Sequence, residues 1–183
     1  MNILTVQRYK DIQRIYSSEG YKPDFAKSSY AYASRRYTRA YLEVLNKLSQ
    51  KTGKGYLPGI DSCMWGWSNN PFLGFYESNR GKKLQDRLYA MFCNIPESDM
   101  VFSDYDKYCE YIEENTNDKN FFVDNPTGAE CVQCCFWSVR PENINVIVDL
   151  DNIKSNNLWL ELTGERARDQ SFLFDQRYLQ CMA

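Results

Sequence analysis

With 183 residues, 43% of them hydrophobic and 25% charged, the chain can bury one ordinary core and needs no disulfide or metal clamp to hold it. No run of about 18 apolar residues occurs, which excludes a transmembrane helix, and the net charge of −2 with a pI near 5.3 is not that of a typical nucleic-acid binder. There is no histidine, so Ser-His-Asp and Cys-His nucleophiles, a paired-histidine ribonuclease and histidine-ligated zinc are all excluded.

In chain order, Ile3–Gln7 reads as a strand, apolar and β-branched. Met1–Gln7 lacks the basic start and long apolar stretch of a signal peptide; with seven cysteines, an odd count, reduced thiols in a bacterial cytoplasm are the expectation. Lys10–Glu19 predicts a short helix with Ile12, Ile15 and Tyr16 on one side, stopped by Gly20. Ser28–Gln50 is the clearest helix, because Tyr30, Ala33, Tyr37, Ala40, Tyr41, Val44, Leu45 and Leu48 recur at helical spacing, and Gly53 and Gly55 close it. Gly55–Trp67 reads as extended, interrupted at Pro58, and Ser68–Gly81 as a loop. Leu84–Ile95 predicts a strand ended by Pro96, Met100–Ser103 a short extended piece, and Asp104–Asn115 a helix with Tyr105, Tyr108, Cys109 and Ile112 inward.

Thr116–Glu130 is a polar loop. Glu130–Val139 alternates as a strand, with Cys131, Gln133, Cys135 and Trp137 on one face and Val132, Cys134 and Phe136 on the other; Ile144–Leu150 is a further strand. Residues 1–150 are expected to form one domain, and residues 151–183, of different composition, to dock on it as a helix or hairpin. Helices come early and strands late, without βαβ alternation, which predicts an α+β fold around a central, mostly antiparallel, split sheet with N-terminal helices.

Several constellations carry candidate chemistry. Without histidine, proton transfer falls to Glu, Asp, Lys, Tyr or Cys. Trp65-Gly66-Trp67 puts two indoles on one strand face, where a base or nicotinamide ring could stack; packing in a core is the alternative. Ser103 or Asp104 can cap the helix that Asp104 opens, or Asp104 and Asp106 can form a carboxylate pair for a metal or a substrate hydroxyl. Arg35, Arg36 and Arg39, with Lys47 further along the helix and Tyr32 near its start, suit phosphate contacts or a solvated face. Residues 1–60 hold eleven Lys/Arg against four Asp/Glu, and the remainder is acidic, which suggests either a polar partner or internal pairing. The Cys131–Cys134 spacing lacks two further local ligands, so no metal is expected. No glycine-rich phosphate loop is present.

Leu4-Thr5-Val6-Gln7 with Gly20, Trp65-Gly66-Trp67, Ser103-Asp104-Tyr105-Asp106 after Ile95-Pro96, and Gln133 with Phe136-Trp137 before Ile144 lie in an order that resembles the bacterial and phage family called domain of unknown function 3841. The resemblance covers about residues 1–150 and brings no activity with it. More distantly, the layout resembles ADP-ribosyltransferases and RNA 2′-phosphotransferases, which implies an ADP-ribosyltransferase-like sheet and NAD as a possible cofactor. Carried over, their first-strand motif falls on Gln7 or Arg8, the middle aromatic on Trp65 or Trp67, and the late acid or amide on Glu130 or Gln133; their usual His and Tyr are missing.

Together these features predict a phage or mobile-element protein whose opening strand lies beside the Gln133 strand, forming a cleft of Gln7, Arg8, Trp65, Trp67 and Gln133 that acts on RNA or another phosphate-rich substrate. Glu130 or Asp104 would move the proton. The alternatives are a non-catalytic inhibitor of a host defence complex, such as a CRISPR-Cas effector or other protein–RNA complex, and a simple nucleic-acid binder using Arg35, Arg36 and Arg39.

Overall fold

The structure, a computed structural model, describes residues 1–17, 21, 23–27, 34–69, 73, 76–114, 119–126, 129 and 131–156. Seven strands are formed: β1 (Asn2–Arg8), β2 (Met64–Asn69), β3 (Leu88–Asn94), β4 (Met100–Asp104), β5 (Phe122–Val123), β6 (Val132–Phe136) and β7 (Ile144–Asp149). Four helices accompany them: α1 (Tyr9–Tyr16), α2 (Arg35–Thr52), α3 (Tyr105–Glu114) and α4 (Leu150–Asn156). The strands make one sheet in the order β5-β4-β6-β2-β1-β3-β7, and every neighbouring pair is antiparallel.

The expected α+β class and antiparallel sheet are present, but the split is not. The hydrophobic run Ile3-Leu4 continuing into Thr5 is buried on both faces, which suits a central strand rather than an edge, and β1 joins the two halves. Seven residues of β1 pair with β3, from Asn2↔Asn94 to Arg8↔Leu88. Its ladder to β2 is short, Leu4↔Trp67, and is reinforced by the Thr5 hydroxyl, which donates to the Trp65 carbonyl at 2.6 Å. A second expectation also fails: β1 and β6 are not neighbours, because β2 lies between them.

Alternation sorts the sheet into two faces. On the first, Ile3, Met64, Met91, Cys93, Met100, Phe102, Val132, Cys134 and Phe136 pack under α1, whose Ile12 and Ile15 are fully buried. The second face carries two apolar patches. One, with Val101, Cys135 and Trp65, lies under α2 (Tyr41, Val44, Leu45, Leu48) and α3 (Tyr108, Tyr111, Ile112). The other, with Leu4, Trp67, Ala90 and Phe92, lies under Leu150 and Ile153 of α4. At about 1.5–3 kcal/mol per fully buried large side chain, these patches anchor helices too short to persist alone.

The element boundaries differ from expectation where backbone geometry overrides periodicity. Helix α2 begins at Arg35, because Ser34 is extended (φ −61°, ψ 160°); it ends at Thr52, where Gly53 takes the left-handed φ of 67°. The predicted helix start at 28–33 lies outside the described residues. Leu57–Ile60 is a turn, not a strand: Ile60 N–H donates to the Leu57 carbonyl at 3.1 Å, with Gly59 at φ 79° after Pro58. Leu84–Asp86 is a 3-10 turn, so β3 starts only at Leu88. Strand β5 lies inside the predicted polar loop. Residues 157–183, most of the expected appendage, lie outside the described residues. Among the described residues, no helix is long and apolar enough to cross a membrane.

Candidate functional site

Five residues lie in register across the second face, one per strand: Leu4, Trp67, Gln133, Ser103 and Phe122. Cross-strand partners share a face, so all five side chains project to the side covered by α2, α3 and α4. Leu4 and Trp67 belong to the patch under α4, and Phe122 packs against the patch under α2 and α3. Gln133 and Ser103 lie between Trp67 and Phe122 in this row. They form a polar seam along the boundary of the two helical covers.

Both seam residues are enclosed, Gln133 at 8% exposure and Ser103 at 2%, yet among the described residues Gln133 Oε1 and Ser103 Oγ have no hydrogen-bond partner. Leaving a buried polar group unpaired costs about 1–3 kcal/mol, and here two such groups stand directly opposite each other. Aromatic rings wall the seam. Trp67 meets Tyr105, the first residue of α3, edge-on with centroids 5.4 Å apart. Trp65 sits 5.4 Å from Tyr108 and 6.1 Å from Tyr41. Burial pushes the Tyr105 phenol up to about 12, with a hydrogen bond to Cys109 and the neighbouring Cys109, Cys131 and Asp106 adding to the rise, so it stays a neutral donor at any ordinary pH. The seam therefore presents an amide and a hydroxyl between neutral rings. It suits recognition of a flat, hydrogen-bonding group.

The predicted site residues do not converge there. Gln7 is three residues from Leu4 on β1, hence on the opposite face, and its amide donates to Thr5 Oγ1 at 2.9 Å. Arg8 is exposed and pairs with Asp11 at 2.9 Å. Trp65 and Trp67 share the second face, as the strand geometry requires, but Trp67 is 3% exposed and its indole bonds Tyr76, so neither a base nor a nicotinamide ring stacks on it. Asp104 caps α3: its Oδ1 accepts from the amides of Asp106 at 3.1 Å and Lys107 at 3.2 Å. Glu130 lies outside the described residues, as does Tyr32.

The arginines of α2 are tied into the fold. Arg36 donates to the Glu113 carbonyl at 3.0 Å, satisfying the carboxyl end of α3, and the Arg39 guanidinium lies 4.9 Å from the Tyr111 ring centre. Arg35 is exposed. The ion pair Lys10–Asp86 joins a base of the first third to an acid of the remainder, whereas Lys119–Glu43 runs in the opposite sense, so little of the charge asymmetry is spent in these pairs.

No protein-family model matches the chain, and neither does any curated protein or solved structure. The seam must therefore be read from its own chemistry. The thiols do not supply a nucleophile near it: burial raises Cys93 to about 12 and holds Cys134 and Cys135 well above the ordinary range. Cys131 packs on the second face and Cys134 on the first, and among the described residues no group of three potential ligands could hold a metal ion.

Sequence reasoning passed over Ser103 as a recognition residue, treating it as a helix cap. The signal that finds it is its register opposite Gln133, which no local pattern encodes.

Proposed function

We propose that the chain binds RNA and reads one unpaired base at the Gln133–Ser103 seam. What carries this reading is the pair of buried, unpartnered polar side chains placed opposite each other on β4 and β6. A side-chain amide offers a donor and an acceptor in one plane, the pattern that matches a base edge, and a hydroxyl adjusts to either role. In this reading Trp67 and Tyr105 hold the amide in place and the base is recognised by its edge, not by stacking. Gln7 and Asp104, bonded elsewhere, take no part in turnover, and the activity proposed is recognition.

The test is binding of short single-stranded RNAs of each base, with Gln133→Leu and Ser103→Ala as variants. Tenfold or greater loss in Gln133→Leu, with smaller loss in Ser103→Ala and no fall in either unfolding midpoint, is expected, since each good amide–base pair contributes about 1–3 kcal/mol. Equal affinity for all three proteins would remove the seam from the proposal.

A second reading rests on a separate observation. The Leu57–Ile60 turn displays both aliphatic side chains, each 61% exposed, on backbone fixed by two bonds to the Leu57 carbonyl. A rigid apolar tip suits the inhibitor alternative, in which the chain blocks a host protein–RNA complex. Leu57→Glu with Ile60→Glu should then abolish stoichiometric inhibition while leaving RNA binding alone; full inhibition by that variant would end this reading.

A further inference from the structure

We propose that a notch where the sheet edge meets the carboxyl half of α2 is a phosphate subsite for the same RNA, a reading that rests on the base seat described above. The hollow measures about 320 Å³ and is lined by Lys47, Gln50 and Lys51 of α2, Phe102 of β4, Phe122 of β5 and Asp124. Lys47 and Lys51 are one helical turn apart, and like charges at that spacing disfavour a helix unless an anion offsets them.

Neither lysine has a carboxylate partner among the described residues. Glu43 stands one turn before Lys47, where an ion pair would be expected, but its carboxylate is held by Lys119 at 2.6 Å. Each ammonium instead lies over a ring: Lys47 Nζ is 5.6 Å from the Phe122 centre and Lys51 Nζ 5.4 Å from that of Phe102. The rings position the cations and leave their hydrogen-bond donors open. Strand β5 pairs only with Phe102 and Ser103 of β4, and Val101 beside them also lines the notch.

The register links notch and seam. Phe122 is opposite Ser103, which is opposite Gln133, so the ring beneath Lys47 is two strands, about 10 Å, from the amide proposed to read the base. One extended nucleotide step bridges that span.

The experiment measures the salt dependence of affinity for a single-stranded homopolymer RNA, together with direct titration by inorganic pyrophosphate. Each phosphate contact on a single strand contributes roughly 0.7 to the slope of log K against log salt. The K47Q/K51Q double variant should therefore flatten the slope by about 1 and lower affinity about tenfold at low salt, while K47R/K51R keeps both. Asp124→Asn should tighten binding, and Gln133→Leu should weaken it without changing the slope. An unchanged slope in K47Q/K51Q overturns the subsite and leaves the base seat to stand or fall on Gln133→Leu. If wild type ignores RNA, pyrophosphate decides: binding that the double variant loses retains the notch as an anion site without the base seat, and no binding ends it.

Discussion

Each face of the sheet carries a glutamine beside a hydroxyl-bearing residue, Gln7 two residues from Thr5 on one strand and Gln133 directly opposite Ser103 on the adjacent strand, and the two faces use the combination in opposite ways. On the first face, the Gln7 amide donates to Thr5 Oγ1, and the Thr5 hydroxyl donates to the Trp65 carbonyl; every link closes within the chain and ties β1 to β2 where their ladder is shortest. On the second face, Gln133 and Ser103 are directly opposite and both enclosed, yet Oε1 and Oγ have no hydrogen-bond partner among the described residues. A closed polar relay stabilises; an open one costs stability and is a ground for assigning a ligand. The difference separates a structural glutamine from a candidate functional one, which residue type alone cannot do.

The strongest break of that comparison is at Gly66, midway between the two relays. A Cβ there would meet the Leu4 carbonyl at 3.0 Å and both Cys134 Sγ and Ile3 Cδ1 at 3.2 Å, with backbone unable to withdraw. Gly66→Ala should cost about 3 kcal/mol, read as a fall in the urea midpoint, and should loosen both faces at once. A loss below about 1 kcal/mol would mean that the β1–β2 junction is less tightly packed than described. Next in size, Thr5→Val keeps the shape but strips the Trp65 carbonyl and the Gln7 amide of their partner, at a cost of about 2 kcal/mol.

How much of this was legible in the sequence follows from what each feature depends on. Local periodicity located β1, α1, most of α2, β4, α3, β6 and β7, because each buries a stripe with period 2 or 3.6. Strand β5 was missed, since Phe122 and Val123 are only two residues held by pairing to β4. The same limit governs the site. Gln133 was singled out from its strand, and the parity that sends Gln7 to the other face depends on β2 intervening between β1 and β6, which is a property of topology. Asp104 carried both a capping and a catalytic reading in the sequence; the two amide bonds to Oδ1 decide it for capping. The arginines of α2 stood out as a phosphate surface because their contacts, the Glu113 carbonyl and the Tyr111 ring, lie far along the chain.

The comparison is sharpened by a change of opposite sign. Gln133→Leu removes an unsatisfied buried amide and adds apolar volume beside Trp67, so the free protein should gain about 1 kcal/mol while losing its proposed ligand. Thr5→Val and Gln133→Leu, both polar-to-apolar changes at enclosed positions, should thus move the midpoint in opposite directions. A loss in both would show that Gln133 is already paired within the fold.

The smallest effect tests whether the first face stays dry. Cys93 lies there, enclosed among Met91, Cys134 and Ile95, and burial raises its thiol from the ordinary 9.0 to about 12. The unfolded chain releases that proton as pH passes about 9, whereas the folded chain holds it until near 12, so the folded state binds the extra proton across this window and stability must fall as pH rises through it. At pH 9 the term from one thiol is less than about 1 kcal/mol, and it grows toward pH 12. Subtracting the pH dependence of Cys93→Ala from that of wild type isolates it, because the other buried thiols and tyrosines contribute to both. Equal alkaline slopes in the two proteins would mean that water reaches Cys93, and the contrast between a dry first face and an unpaired polar seam on the second would lose its basis.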